Sequence, residues 1–567
     1  MPGGEFLFGD SGTVGVTAVP PGGAAPVSSV LVTDLPSRLP WRAAILWALL
    51  ALAIATVHAS VTVRQISPSS DLWDYAQQAR QIARGEGFTS LYTYPTLLGA
   101  EEKPPYPVRW RMPLFSWRGA MMLQSGMSLP EGYFILAAFS QALLVGLVLL
   151  LGAHFHSARA GAIAAAAAIA CPLLLDSFNP GLSQVPVAAF GLLVWLLLLR
   201  GRGLATALVA AVVAAAIWYA RAESLLFAPL WIAAAWQGAR RVGAGGPAAK
   251  AAPAHPLARS LAFALALVAL CAPWPFLLRA MSGDAAPIQG NPMLLYTSQF
   301  PGYASSRTYL EPMPGYMAYV LGHPATFALR WVKDVVGFLV EFGAGLGPIA
   351  IGLAMAGLLL REPKGRFRDL APTRLFFLAI ALQIAAFAAL QRSPRFLVPV
   401  VPLACVAIGI AAAPALDRFC GRRTVAFLFL LLIGERAATV GFETRSAARR
   451  FPSLPVALAA ALRERAPAWP RDQLLLTDVP DWSAWHLDRP ALLLPTSRSM
   501  ARVMEDHPVA AILLSPAARA RNVADGDSVW IEIWDRVEPL AGFRGPIPLP
   551  GGARIYERED PRVAPRD

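Results

Sequence analysis

Long apolar runs recur along this chain at short intervals, with charged residues gathered between them, and this blocking constrains the fold more than any single motif. A helix rises 1.5 Å per residue, so about 20 apolar residues cross roughly 30 Å of hydrocarbon. Runs near residues 41 to 63, 131 to 153, 159 to 176, 184 to 200, 203 to 220, 223 to 238, 259 to 279, 334 to 360, 375 to 391, 397 to 415 and 424 to 442 fit that requirement. They predict a mainly α fold, a polytopic membrane helix bundle of about eleven transmembrane helices. Hydrophobic residues make up 56% of the 567 positions and charged ones 15%, which agrees. The formal charge of +13 would suit nucleic acid, but the arginines fall between apolar runs and form no single basic face, so no nucleic acid partner is expected.

Alternate loops sort by charge. Arg200 and Arg202, then Arg240, Arg241, Lys250 and Arg259, then Arg361, Lys364, Arg366, Arg368 and Arg374, then Arg418, Arg422 and Arg423 mark the cytoplasmic side by the positive-inside rule. Residues 1–40, rich in Gly, Pro, Ser and Val without periodicity, read as a disordered cytoplasmic tail. Residues 41–442 form the membrane domain, whose first external loop, 64–130, is too patterned for a plain connector. The segment 280–333 and everything after the last span are also expected outside. Glu435 and Arg436 interrupt that last span. Residues 451–567 change character: QLLLTDV, ALLLP, VAAILLS, SVWIEIW and ARIYERE alternate with helical patterns and predict a small α/β domain. It carries no Gly-rich phosphate loop.

The stretch from Ser67 to Phe88, SPSSDLWDYAQQARQIARGEGF, reads as a short helix at the membrane surface, capped by Ser70 or Asp71 and stopped by Gly85 and Gly87. Asp71 and Asp74 then occupy its first turn. A carboxylate there satisfies free N–H groups, as helix caps do, and it is also placed to act as a general base on a lipid-anchored substrate. The later sequence RWRMPLFSWRGAMML reads as an interfacial helix whose Arg109, Arg111 and Arg118 meet phosphate or anchor to headgroups. Polar residues collect at the same outer ends of the spans: Asp176, Asn179 and Gln184; Arg221 and Glu223; Arg279; Arg392 and Arg395. Singly each reads as a snorkelling or capping residue; together they suit an anionic phosphate leaving group. Cys171, Cys271, Cys405 and Cys420 lie in or beside apolar runs, and His154 and His156 fall on different faces of a helix, so the sequence supports no metal site.

These residues, in order, resemble the GT-C membrane glycosyltransferases, in particular the bacterial branch similar to protein O-mannosyltransferases and the lipid A aminoarabinose transferase. DLWDYAQQARQIARGEGF looks like the family's first-loop motif, which places Asp71 at its catalytic Asp and Tyr75 at its tyrosine. RMPLFSW resembles its Arg-Pro-Pro-Leu-Tyr-Pro element through Arg111, YARAESLL its Thr-Arg-Pro-Glu through Arg221 and Glu223, APWPFLLRAMSGD its Pro-Trp-x-x-Arg-Asn through Arg279, and RSPRFLVPVVPL its Arg-Tyr-x-x-Pro-x-x-Pro through Arg395. Two positions depart from the pattern: Ser183 and Gln184 stand where relatives often carry Ser-Glu, and Ala280 replaces the Asn. Asp176 is a possible substitute for the missing acid.

The resemblance implies a glycosyltransferase of the bacterial inner membrane, with its C-terminal domain periplasmic. It would move a sugar from a polyprenyl-phosphate donor to a lipid, glycan or protein acceptor, with inversion. Asp71 would deprotonate the acceptor; Arg111, Arg221, Arg279 or Arg395 would stabilise the departing phosphate; Glu223 or Asp74 would hold those arginines or the sugar. Asp176, Gln184, Tyr75 and Arg109 are supporting candidates. No cofactor is required, because guanidinium groups neutralise a single phosphate, and the sequence does not support a divalent metal. The other readings are a membrane transporter, which would place ionisable groups near the midplane and show a repeat, and an inactive relative that binds lipid-linked sugar.

Overall fold

The structure is a computed structural model that describes residues 40–62, 71–176, 183–201, 203–242, 255–282, 306–310, 316–359, 373–419, 434, 454–537 and 539–559. Helix α1 (Trp41–Thr62) leads into a long loop holding α2 (Asp71–Ala83), three two-residue strands, β1 (Thr89–Ser90), β2 (Tyr92–Thr93) and β3 (Tyr106–Pro107), and α3 (Leu114–Gln124). The bundle continues with α4 (Leu129–Phe155), α5 (Ala158–Ala170), α6 (Pro172–Asp176), α7 (Gln184–Arg200), α8 (Leu204–Ala220), α9 (Ala228–Val242), α10 (Pro256–Cys271) and α11 (Pro273–Ser282). Then come α12 (Tyr316–Gly322), α13 (Pro324–Leu346), α14 (Pro348–Leu359), α15 (Arg374–Leu390) and α16 (Val401–Phe419).

Among the described residues, two helices are long and apolar enough to cross a membrane, Leu129–Phe155 and Pro256–Ala280, and α13 with α14 makes a third if the bent pair is one span. Shorter apolar helices of 10–17 residues make up much of the rest. The single span expected over 334 to 360 is broken. Gly347 adopts φ +85° and Pro348 has no N–H to continue the ladder, so α13 and α14 meet at 97°. Apart from Gly434, the expected span at 424 to 442, with Glu435 and Arg436, lies outside the described residues, as do residues 1–39 of the N-terminal tail.

Lipid offers no hydrophobic drive between apolar helices, so close packing has to hold them. The Ala-rich α5 sits between α4 and α16, and a Cβ at Gly161 would lie 2.3 Å from the carbonyl oxygen of Leu149. Arg259, read above as a topology charge in a loop, is instead fully buried in α10. Its guanidinium donates to the carbonyls of Leu197 (3.1 Å) and Leu198 (2.8 Å) in the last turn of α7, and to Ala235 (3.0 Å) in α9. A buried cation that donates to carbonyls of two neighbouring helices, two of them in a last turn, ties three helices together.

The C-terminal elements are α17 (Leu454–Arg465), β4 (Leu474–Thr477), α18 (Pro480–Leu487), β5 (Ala491–Leu493), α19 (Ser497–Asp506), β6 (Val509–Leu514), α20 (Pro516–Asp525), α21 (Ser528–Arg536), β7 (Phe543–Pro548) and β8 (Arg554–Arg558). SVWIEIW, expected as a strand, is helix α21: Trp530 and Ile533 turn one face inward at a spacing of three, which a strand would split between two faces. The six-stranded sheet runs β2-β5-β4-β6-β8-β7, parallel from β2 to β6 and antiparallel beyond. Its edge strand β2 comes from the long loop after α1, with Tyr92 beside Ala491. A second loop is anchored there too. Arg307, almost wholly buried, donates to the carbonyls of Leu494 (2.8 Å) and Pro495 (3.0 Å), and the Tyr309 hydroxyl donates to Asp506 (2.9 Å).

Arg259→Ala is expected to cost about 3 kcal/mol, since it removes the charged hydrogen bonds from α10 to carbonyls of α7 and α9. Thermal unfolding in detergent reads this, and an unchanged midpoint would remove Arg259 from the packing account.

Candidate active site

Helix α2 has three working faces. Tyr75 and Ala79 pack on α3, with Tyr75 5.3 Å from the ring of Phe115; Trp73, Arg80 and Arg84 meet α18; Asp71, Asp74 and Gln78 turn toward the loop between β3 and α3. The helix begins at Asp71, and Gly85 and Gly87, both left-handed, turn the chain away after it, as the sequence predicts.

Asp74 is almost fully buried and well supplied with donors. Gln78 donates to it at 2.5 Å and the Trp110 indole at 3.3 Å, and the Nε of Arg111 completes the set. Gln78 is itself held by the Ser116 hydroxyl at 2.5 Å. Asp71 is less deeply buried. One of its oxygens faces an Arg111 nitrogen at 2.8 Å and the other an Arg395 nitrogen at 3.2 Å. Arg111 therefore bridges both acids, with its guanidinium 5.2 Å from the centre of the Tyr75 ring.

Arg221, at the end of α8, pairs with Glu223 and donates to the Ser183 hydroxyl at 3.1 Å. Tyr75 donates to the same hydroxyl at 3.4 Å. The guanidiniums of Arg221 and Arg395 lie 5.7 Å and 5.3 Å from the one ring of Phe396, which holds two like charges beside Asp71. Burial pushes the Asp71 carboxyl up, but Arg111, Arg395 and Arg221 together hold it below the usual carboxylate range. Burial raises the Tyr75 phenol, which keeps it a neutral donor.

The cluster thus gathers Asp71, Asp74, Tyr75, Arg111, Arg221, Glu223 and Arg395. Arg279 is exposed on α11, and among the described residues no ion pair or hydrogen bond joins it to the cluster. Arg109 precedes α3, outside the interfacial helix expected there, and turns away, donating to the Leu97 carbonyl at 3.0 Å and pairing with Glu102 at 3.2 Å. The side chain of Asp176 lies outside the described residues. Gln184 starts α7 next to Ser183, buried, with neither amide atom paired among the described residues. Sequence reasoning missed Trp110, Gln78, Ser116 and Phe396; Trp110 and Phe396 sit beside the chosen arginines, which is the signal that was available.

Among the described residues no group of three or more His, Cys, Asp or Glu side chains is placed to hold a metal ion. Asp71 and Asp74 have the Arg111 guanidinium between them, and a cation binding both acids would have to displace it.

No family model matches the chain, and no curated protein matches it. Solved structures do. ArnT from Cupriavidus metallidurans bound to undecaprenyl phosphate superposes with a TM-score of 0.50 at 14% identity, over 92% of this chain and 99% of that one. The chain has a GT-C membrane fold. The apo oligosaccharyltransferase from Archaeoglobus fulgidus gives 0.51 at 15% identity over 92% and 75%. The arabinofuranosyltransferase AftD from Mycobacteria gives 0.50 at 14% over 92% of this chain and 40% of that one. All three are GT-C glycosyltransferases. On this fold the acid-bearing helix and the arginine-bearing turns converge on one cluster of ion pairs.

Gln78→Leu removes the donor to Asp74 and leaves the Ser116 hydroxyl unpaired, so it is expected to cost about 1–3 kcal/mol. A double-mutant cycle with Ser116→Ala checks it, and additive effects would contradict the coupling.

Proposed function

We propose that the chain is an inverting glycosyltransferase that moves a sugar from a polyprenyl-phosphate carrier to an acceptor hydroxyl or amine on the outer face of the bacterial inner membrane. The N-terminus is then cytoplasmic and the C-terminal α/β region periplasmic. The observation that carries this reading is Asp71 held between Arg111 and Arg395, with Arg221 across the shared Phe396 ring, on a GT-C fold.

In the transfer, the acceptor oxygen or nitrogen forms a bond to the anomeric carbon while the bond from that carbon to the phosphate oxygen breaks. The acceptor proton goes to the Asp71 carboxylate, and polyprenyl phosphate departs with its charge held by guanidinium groups. Asp74 stays paired with Arg111 and fixes it, and Glu223 does the same for Arg221.

A carboxylate with both oxygens paired and a lowered pKa is a weak base. The arriving phosphate relieves this. Arg395, the more exposed partner, and Arg221 turn to the phosphate, and the carboxylate they release becomes more basic. Donor binding thus precedes base activation.

Purified protein offered a panel of radiolabelled polyprenyl-phosphate sugars is expected to release polyprenyl phosphate with at least one; release from none would remove the reading. Asp71→Asn should abolish transfer, lowering kcat by about 10²-fold or more, and near-normal activity would take Asp71 out of the base role. Arg395→Ala and Arg221→Ala should raise KM for the donor more than for the acceptor; unchanged donor affinity would leave both as anchors. Because Asp71 is released only with donor bound, the acid limb of kcat should lie at higher pH than that of kcat/KM for the donor. Coincident limbs would contradict the release.

A further inference from the structure

The short turn Ala222–Phe227 follows Arg221 directly and carries Glu223, and it forms one wall of a small cavity inside the bundle. Gly191 of α7, Ile217 of α8, Trp231 of α9 and Pro399, four residues beyond Arg395, close other sides. Both arginine-bearing stretches of the site therefore border the same space. About 20 Å³ of it is open to the centre of a water molecule. One water needs roughly 10–15 Å³ by that measure, so the cavity has room for water and none for a sugar ring or an isoprenoid chain.

Two groups in this mainly apolar wall are polar. Ser224 is 2% exposed and Trp231 1%. The hydroxyl oxygen of the one and the indole nitrogen of the other are buried, and neither has a hydrogen-bond partner among the described residues. A buried polar atom that gives up its hydration without replacement is costly, so nearly all such atoms in folded proteins are paired. The chemistry of the two groups narrows what the partner is. An indole N–H only donates, so the occupant has to accept, while a serine hydroxyl does either. A cation, which cannot accept, does not fit.

What is fixed at Ser224 bears on the site. The turn is a 3₁₀ helix, whose hydrogen-bond geometry is poorer than that of an α-helix, so it gains from support outside itself. Phe227 and Trp231, with ring centres 5.9 Å apart, set its far end against α9. At its near end the Ser224 amide donates to the Arg221 carbonyl at 3.1 Å. A pin on Ser224 therefore reaches the residue that pairs with Glu223 and donates to Ser183.

We propose that one internal water occupies this cavity, accepting from the Trp231 indole and hydrogen-bonded to the Ser224 hydroxyl, and that this bridge fixes Arg221 for the donor phosphate. Ser224 and Trp231 are then positioning residues. The role at the phosphate rests on the glycosyltransferase reading; the water does not.

A cryo-electron microscopy map of the full chain in nanodiscs, at a resolution that shows ordered waters, is expected to hold one density within hydrogen-bonding distance of Trp231 Nε1 and Ser224 Oγ. A cavity without density, or one filled by continuous acyl density, overturns the water. Ser224→Ala and Trp231→Phe should each weaken binding of polyprenyl phosphate about fivefold. The double variant should lose no more than about that, because either change alone breaks the bridge. Ser224→Thr keeps a hydroxyl and should stay within about twofold of the wild type. Wild-type affinity in both single variants, or losses that multiply in the double variant, overturn the positioning role. Should Trp231→Phe fail to fold, Ser224→Ala against Ser224→Thr decides alone, and equal affinities overturn the role. A wild type that binds no polyprenyl phosphate overturns the donor reading, while the map still decides the water.

Discussion

An acid that leaves water for a pocket beside a membrane must find a cation or lose its charge, and the pairing of Asp71 with Arg111 and Arg395 is how this chain meets that demand. Forty residues separate Asp71 from Arg111 and 324 separate it from Arg395. The second partner can be delivered only if the last apolar helices fold back against the first loop. The ion pair is therefore both the centre of the site and a condition on the order of the whole bundle. Removing one guanidinium from such an arrangement leaves a buried charge uncompensated, typically at about 3–5 kcal/mol.

The backbone around the arginines serves the same requirement. Arg221 follows the last turn of α8 and Arg395 lies within the short turn Pro394–Leu397 that precedes α16; both positions carry a long side chain past a helix end to the cluster around Asp71. The Phe396 ring spaces the two guanidiniums, and Ser183 ties Arg221 to Tyr75 and so back to α2. On the other side of α2, the C-terminal region fixes the helix through Arg80 and completes its own sheet with β2 from the same loop. The acid-bearing helix is thus gripped from both flanks, which sets where Asp71 points.

Where a residue's environment follows from periodicity, the sequence was legible. Apolar blocks predict helices because lipid leaves no alternative for the backbone, and α2 is readable from its acids, its spacing and its terminal glycines. The arginines show the limit. Arg221, Arg279 and Arg395 all look alike as cations at the ends of apolar runs, yet Arg279 is exposed and, among the described residues, unconnected to the cluster, because the rotation of a helix about its axis is set by packing that no local pattern encodes. Trp110, Gln78 and Ser116 went unread for the same reason, as their hydrogen bonds join separate elements. Strand β2 has two residues, too few to show alternation, and the break at Gly347 falls within a long, mainly apolar run on either side. Arg259 had the look of a loop charge because its value lies in carbonyls 24 and 61 residues away.

The account turns on whether the phosphate of a polyprenyl carrier takes over the guanidiniums that neutralise Asp71. A cryo-electron microscopy map of the wild-type protein with polyprenyl phosphate bound addresses this directly. It is predicted to show the phosphate within hydrogen-bonding distance of Arg395 and Arg221, with Asp71 facing the phosphate and no longer paired to Arg395. A phosphate seated elsewhere, with the Asp71–Arg395 pair intact, would contradict it.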